Sequence, residues 1–371
     1  MIDALSATTF RRRIMADAVR SQRAAFALFE ITPTCNLRCS FCFVALEPYT
    51  GPYLSTADMC RALDVLADAG VLYLTLTGGE IFSRRDFPEI YRHAVRRGFL
   101  VTLFTNATMA TERIRAVLAE HPPYAIEASI YGADAEHYER VTGIPGSFAK
   151  FERGIAMLQS LGVPMLIKHP ITRLTVDHLD AIRAWTSARG LRLKMTTDIE
   201  NQHDGGTTPS LYRITPRRVN AVKDEMHRLA TGRERDLPMA ECAVADEDED
   251  SNRLYRCGAG RAAVFVDANG RISHCVWDRE PNYPLLEMPW EEIQASMLAW
   301  VNQPLPADAP CSGCGMRGGC GNCPARARLA TGSPYLKDPH QCETTQTAYA
   351  ARAATAPALS VAPRPLASCA R

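Results

Sequence analysis

One phrase repeats between residues 26 and 197: an amphipathic stretch that stops on a glycine and leads at once into a short β-rich apolar run. In "LSTADMCRALDVLADAG", Ser55 and Asp58 fit a capping box, and Met59, Leu63 and Leu66 fall on one helical face. Gly70 then supplies a left-handed stop before the strand "VLYLTL". The phrase returns in "DFPEIYRHAVRRG", where Phe87, Ile90, Tyr91 and Ala94 share a face and Gly98 precedes "FLVTLFT". It returns again in "FAKFERGIAMLQSLG" and "VDHLDAIRAWTSARG", which stop at Gly162 and Gly190 before "VPMLIKH" and "LRLKMTT". With "FALFEIT" at the start and "YAIEASI" in the middle, six strands are expected, five of them preceded by a helix. Strands separated by helices pair in parallel, because a parallel neighbour is reached only by a long crossover.

Several of these strands alternate apolar and polar residues, as with Glu127 and Ser129 in "YAIEASI" or Arg192 and Lys194 in "LRLKM". A flat sheet covered on both faces reads as continuous apolar runs instead. The alternation therefore predicts an α/β fold of the barrel kind, open or closed, with a polar lumen and ligands at the C-terminal mouth of the strands. It does not distinguish six strands from eight.

At 371 residues and 46% apolar content the chain is long enough for a large core and a smaller module. A net charge of +1 supplies no overall field for nucleic acid or an anionic membrane, and no apolar run approaches the ~18 residues of a membrane helix. Neither nucleic acid nor membrane is expected as a partner. No signal peptide is evident, so a cytoplasmic location is expected, where thirteen cysteines mean metal or redox chemistry more often than disulfides. The expected organisation is an N-terminal segment (1–25), the barrel (26–215), and a bridging region (216–255). That region holds one helix near 215–230 and the acidic, solvated run "ADEDED"; a cysteine-rich domain (256–345) and a disordered Ala/Pro tail (346–371) follow.

Cys35, Cys39 and Cys42 stand in "TCNLRCSFCF", a C-x3-C-x2-C run directly after the first strand. Three soft thiolates this close suit iron–sulfur ligation, whereas a structural zinc wants a fourth ligand, and the next cysteine, Cys60, sits on the first helix of the repeat. A cubane held by three cysteines leaves one iron for an exogenous ligand. The run, with Phe41 before its last cysteine, resembles the signature of the radical S-adenosylmethionine (radical SAM) enzymes. "TLTGGE" at the end of the second strand resembles that family's Gly-Gly-Glu motif. The resemblance implies a partial (β/α)6 TIM-like barrel carrying one [4Fe-4S] cluster on Cys35, Cys39 and Cys42, with S-adenosylmethionine on the open iron. It implies that Gly78, Gly79 and Glu80 bind the methionine amino group, and that Phe41 lies beside the adenine. Ser129 in "SIYG" and Asn106 in "FTNAT" would contact the cosubstrate, Ala107 standing where the family's "TNG" has glycine. It also implies an external one-electron reductant and a 5'-deoxyadenosyl radical that abstracts hydrogen from substrate.

The far half carries Cys257, Gly270, Cys275, then Cys311, Cys314, Cys320 and Cys323, and last Cys342. Taken alone, "CSGC" and "CGNC" also suit a zinc knuckle. In order the set resembles the SPASM extension of peptide-modifying radical SAM enzymes, with "CGNC" one residue shorter than that pattern. The resemblance implies two auxiliary iron–sulfur clusters, one on Cys311, Cys314, Cys320 and Cys342, the other on Cys257, Cys275 and Cys323. The latter's fourth position is either open or filled by another group, Cys242 being the nearest spare thiol. Cys60 is expected as a core thiol and Cys369 as a bystander in the tail.

The expected function is a maturase that abstracts hydrogen from a ribosomally made peptide or protein, giving a cross-link, an oxidised side chain or an epimer. The two dozen residues before the first strand leave no room for a leader-binding winged helix, so a separate leader-recognition protein is an expected partner. Alternatives are a sulfatase-maturating enzyme, disfavoured because Val276 rather than an aspartate follows Cys275, and an enzyme acting on a small molecule or haem precursor. A non-catalytic electron-transfer protein or zinc scaffold would explain the cysteines but not the Gly-Gly-Glu strand end. No catalytic base is identified; His169 and His203 read as structural, and Lys168 and Lys194 face either the lumen or solvent.

Overall fold

A computed structural model describes residues 4–44, 53–233 and 252–355. The chain divides into two compact units, one of residues 1–213 with 258–300, the other of residues 214–257 with 301–371. The segment expected as one cysteine-rich domain, 256–345, is thus shared between them.

The first unit is built on a sheet of nine strands. They are β1 (Phe26–Thr32), β2 (Tyr73–Gly78), β3 (Leu100–Thr105), β4 (Ala125–Ser129), β5 (Met165–Pro170), β6 (Arg192–Thr196), β7 (Ala263–Val266), β8 (Arg271–Ser273) and β9 (Asn282–Pro284). Their order is β6-β5-β4-β3-β2-β1-β7-β8-β9. The first six are the expected strands, all parallel. β7 adds to β1 in parallel, and β8 and β9 follow as antiparallel neighbours. The helices of this unit are α1 (Ala4–Ser21), α2 (Thr56–Asp68), α3 (Phe87–Arg96), α4 (Glu112–Glu120), α5 (Ala135–Thr142), α6 (Ser147–Gln159) and α7 (Leu179–Ser187).

The glycine stops stand where the sequence puts them: Gly70, Gly98, Gly162 and Gly190 have φ of 91°, 89°, 67° and 64°. Ser55 caps α2 by accepting from the Asp58 amide. Register explains the two faces of the sheet. Phe29, Leu76, Leu103 and Ile126 lie on aligned positions and Ile167, paired with Ala128, shares their face; all five are fully buried and meet Leu63, Leu66, Phe87, Ile90 and Tyr91 from the helices. Burying a side chain of that size stabilises by roughly 1.5–3 kcal/mol, so this face sets the fold. The alternate positions, Thr75, Thr102, Phe104, Glu127, Ser129, Lys168 and Lys194, line the other, polar face. At the N-terminal end of that face Phe26 stacks on Tyr73 at 4.8 Å, and the Arg11 guanidinium lies 5.6 and 5.4 Å from the two rings.

In the second unit α8 (Pro216–Thr231) is the helix expected near 215–230, capped by Thr215 and stopped at Gly232 with φ 70°. It packs on α11 (Pro339–Thr355), where Asn220 Nδ2 donates to the Thr344 carbonyl at 2.9 Å. The tail expected from residue 346 therefore begins as helix: its alanines are strong helix formers and α8 covers one side. α9 (Trp290–Asn302) runs across the division at residue 300, and α10 (Pro324–Thr331) completes the second unit's helices. The acidic run 245–250, Cys242 and Cys369 lie outside the described residues.

Candidate active site and thiol clusters

The cysteine loop leaves β1 and is pinned on three sides. Below it the Gly79 amide donates to Thr32 O and the Glu80 amide to Thr34 O, both at 2.8 Å. A Cβ on Gly78 would stand 2.2 Å from Thr32 O, and one on Gly79 would stand 2.4 Å from Thr34 O and 2.5 Å from Pro33 O. These glycines are therefore required by the backbone of the cysteine loop itself, a closer constraint than the approach of a ligand. On a second side Arg38 N donates to Thr142 O at 2.8 Å and Ser40 N to Val141 O at 3.2 Å, tying the loop to the end of α5. On the third, Asn36 Nδ2 donates to Thr108 Oγ1 at 2.8 Å.

Glu80 is the keystone. Its side chain is fully buried; Oε1 accepts from Phe82 N at 3.0 Å and Thr105 Oγ1 at 2.7 Å, and Oε2 accepts from Asn106 N at 2.6 Å. Burial pushes its carboxyl pKa up, and those three donors pull the other way. The carboxylate thereby locks the end of β2 to the end of β3. Asn106 is buried beside it, Nδ2 lying 3.7 Å from Cys35 Sγ. Ala107 holds φ 62° where the family pattern has glycine, and the Gly154 backbone of α6 is pressed so near that a Cβ there would stand 1.9 Å from Ala107 O.

The structure brings Cys35, Cys39 and Cys42 together. Burial pushes all three thiols up, Cys42 to about 11; the neighbouring thiols add to the rise for Cys39, and Cys35 adds to it for Cys42. Phe41 is buried with Val141 and Ile199 and meets Tyr131 edge-on at 5.8 Å. Ser129 ends β4, half-buried, in register with Lys168. Lys168 faces the lumen: Nζ lies 3.1 Å from Glu127 Oε2 and 3.1 Å from the Phe104 ring centre. Burial lowers its pKa, and Glu127 opposes that. A second lumen pair, Arg279 with Glu30 at 2.8 Å, joins the segment after β8 to β1. Neither partner was singled out from the sequence; for Glu30, its place one step along the alternation of "FALFEIT" was the available signal.

Cys311, Cys314, Cys320 and Cys342 line one pocket of the second unit, with Met316, Tyr335 and Thr345 around them. Burial first, then the other three thiols, push Cys311 to about 11. Asn322 Nδ2 lies 3.6 Å from Cys311 Sγ, and Cys320 Sγ lies 3.2 Å from Thr345 Oγ1. Cys257 and Cys323 belong to this unit and Cys275 to the first. Cys60 is half-buried on α2. Among the described residues no three His, Cys, Asp or Glu side chains are gathered tightly enough to hold a single metal ion, the spacing a mononuclear zinc site needs.

Residues 29–185 match the Radical SAM superfamily. Across that span lie the three-cysteine loop, the Gly-Gly-Glu turn that clamps it, and β1 to β5. This chain belongs to the radical SAM superfamily. Among its relatives, the PqqA peptide cyclase of Rhodopseudomonas palustris is 33% identical over 252 residues, 67% of this chain and 66% of that one. With the PqqA peptide cyclase of Granulibacter bethesdensis the match is 29% and spans only 44% of either chain, less than half of that relative's length. The AdoMet-dependent heme synthase of Oleidesulfovibrio alaskensis is 25% identical over 84% of this chain and 85% of its own. In fold, the chain is similar to Streptococcus suis SuiB bound to its precursor peptide SuiA, with a TM-score of 0.66 at 16% identity, covering 90% of this chain and 80% of SuiB. As a radical SAM protein the chain is an enzyme whose family uses S-adenosylmethionine and a [4Fe-4S] cluster, and the loop of three neighbouring thiols, Cys39 buried and Cys35 and Cys42 half-buried, fits such a cluster. No helix among the described residues is long and apolar enough to cross a membrane.

Proposed function

We propose that this radical SAM enzyme abstracts hydrogen from a ribosomally synthesised peptide or protein and so matures it. The observation that carries the reading is the second group of thiols: Cys311, Cys314, Cys320 and Cys342 on one pocket, downstream of a radical SAM domain whose relatives include a peptide cyclase. When bound, the cluster and S-adenosylmethionine supply a 5'-deoxyadenosyl radical, after one electron arrives from an external reductant. The chain's own part is to hold and shield. Phe41, the Gly78–Gly79–Glu80 turn, Asn106 and Ser129 form the cosubstrate's surroundings, with Glu80 also fixing the loops, since its carboxylate accepts from three protein donors. The pairs Lys168–Glu127 and Arg279–Glu30 hold charged side chains in place on the polar face of the sheet.

Auxiliary clusters on Cys311, Cys314, Cys320 and Cys342, and on Cys257, Cys275 and Cys323, belong to the same proposal, as do a cytoplasmic location and a separate leader-recognition protein. The second cluster's fourth position is either open or completed by a further group such as Cys242. A second reading, action on a haem precursor, is favoured by the heme synthase match over 84% of this chain.

Anaerobically reconstituted protein, reductant and S-adenosylmethionine incubated with peptides encoded beside the gene should yield 5'-deoxyadenosine together with a mass change in one peptide. Formation of 5'-deoxyadenosine with no peptide altered, and conversion of a haem precursor in a parallel incubation, would overturn the peptide reading in favour of the second.

A further inference from the structure

Asn106 sits in a closed ring of hydrogen bonds. Its Oδ1 accepts from Thr108 N at 2.9 Å and from Thr108 Oγ1 at 2.6 Å. Its Nδ2 donates to Asn36 Oδ1 at 3.0 Å, and Asn36 Nδ2 donates to Thr108 Oγ1 at 2.8 Å. A backbone N–H only donates, so the Thr108 amide fixes which end of the Asn106 side chain is oxygen. The Thr108 hydroxyl spends its hydrogen on Asn106 Oδ1 and accepts from Asn36, which in turn fixes Asn36. Every group in the ring is then assigned, and one hydrogen of Asn106 Nδ2 is left over. It lies toward Cys35 Sγ, 3.7 Å from the nitrogen. Leu37 N donates to the same sulfur at 3.4 Å.

We infer that Asn106, oriented by Asn36 and Thr108, is a positioning residue that donates an N–H···S hydrogen bond to the Cys35 thiolate and raises the reduction potential of the cluster held by Cys35, Cys39 and Cys42. Hydrogen bonds to ligand sulfurs withdraw charge from a cluster and favour its reduced form. The setting strengthens the effect: Asn106 is buried, its backbone amide is clamped by Glu80, and the ring leaves the side chain no other orientation. Asn106 thus acts on the electron's arrival rather than on the substrate. The inference rests on a cluster at these three cysteines and is independent of which molecule is modified.

The test is a redox titration of the anaerobic full-length enzyme without S-adenosylmethionine, followed by electron paramagnetic resonance. The first cluster's signal is identified as the one lost in a Cys35→Ala, Cys39→Ala, Cys42→Ala protein. Asn106→Ala with full iron content should titrate at a more negative potential, with about tenfold less reduced cluster at a fixed potential, or 59 mV for one electron. Thr108→Val, which loosens the ring but keeps the backbone donor, should move the same way by less. An unmoved midpoint in Asn106→Ala with full iron content would overturn the inference, whatever that variant does to S-adenosylmethionine binding. If Asn106→Ala takes up no cluster, an unmoved midpoint in Thr108→Val overturns it equally.

Discussion

Arg279 Nη2 donates to Glu30 Oε2 at 2.8 Å inside the lumen, joining the segment after β8 to β1, the strand that β7 pairs with. Burial pushes the Glu30 pKa up, and Arg279 is the chief opposing influence. The guanidinium also lies 4.5 Å from the ring centre of Phe265, the β7 residue paired with Leu28. The pair is the polar counterpart of the β1–β7 ladder.

Removing one member of this pair strands the other. Arg279→Met should destabilise the protein by roughly 3–5 kcal/mol, because Glu30 then carries an uncompensated buried charge or must take up a proton. Glu30→Gln combined with Arg279→Met should be more stable than Arg279→Met alone. Denaturant unfolding of the anaerobic holoenzyme measures both, and equal stability of single and double variants would mean that Glu30 is not held charged by Arg279.

Gly79→Ala tests the clamp on the cysteine loop. Its Cβ meets two backbone carbonyl oxygens, Thr34 O and Pro33 O, rather than a side-chain end that can swing aside. The loop must shift, so the variant should fold but incorporate less iron at Cys35, Cys39 and Cys42, read as a loss of the signal assigned to those residues. Gly98→Ala is the control for simple glycine loss: it has open space around its Cβ, and a positive φ of 89° carries the cost there. It should lower stability by about 1 kcal/mol and leave iron uptake unchanged.

The contrast between those two glycines marks where sequence reasoning reached and where it stopped. Gly70, Gly98, Gly162 and Gly190 were legible because a left-handed stop is a local event at the end of a 3.6-residue period. Gly78 and Gly79 were found, but for ligand approach, since the Thr32–Thr34 backbone that excludes their side chains is distant in sequence. Lys168 was an open choice between lumen and solvent; the strand period allowed the lumen, and only the folded register supplied Glu127 and Phe104 as its partners. β7, β8 and β9 escaped notice because runs of three or four residues carry little period, and the pairing of β7 to β1, on which the other two build, spans more than two hundred residues. The helical start of the tail was missed because alanine and proline composition was read ahead of alanine's helix propensity.

Acid should unfold this protein through a buried histidine. His169 is fully buried with Nδ1 2.8 Å from the Ile130 carbonyl, so Nδ1 carries the proton and the ring is neutral; burial lowers its pKa from 6.5 to about 4. The unfolded chain then binds a proton first as pH falls. The stability this group contributes is complete above about 6.5 and is lost as pH drops toward about 4, a span worth roughly 3 kcal/mol. His203, also lowered to about 4 by burial and then by Arg279, works in the same direction. Unfolding midpoints measured from pH 7 to 4 should fall steeply, and His169→Asn should flatten the slope. An equal slope in that variant would assign the acid sensitivity elsewhere.

The four thiols that line the pocket of the second unit offer a count. Cys311, Cys314, Cys320 and Cys342 share one pocket, where burial first and then the other three thiols raise Cys311, so these side chains are placed to bind as a group. The Cys311 thiol, pushed to about 11, binds weakly while neutral, and a cluster that takes the four side chains as thiolates releases protons and ties α11 to the loop of Cys311–Cys320. Cys311→Ala should therefore lower bound iron by about four per chain, the content of one cubane, and lower the unfolding midpoint. The signal assigned to Cys35, Cys39 and Cys42 should persist, because those residues lie in the other compact unit with their own clamps. Elemental analysis beside the spectra decides it: about one zinc per chain in the unaltered protein, lost in Cys311→Ala with iron unchanged, would make the pocket a zinc site instead.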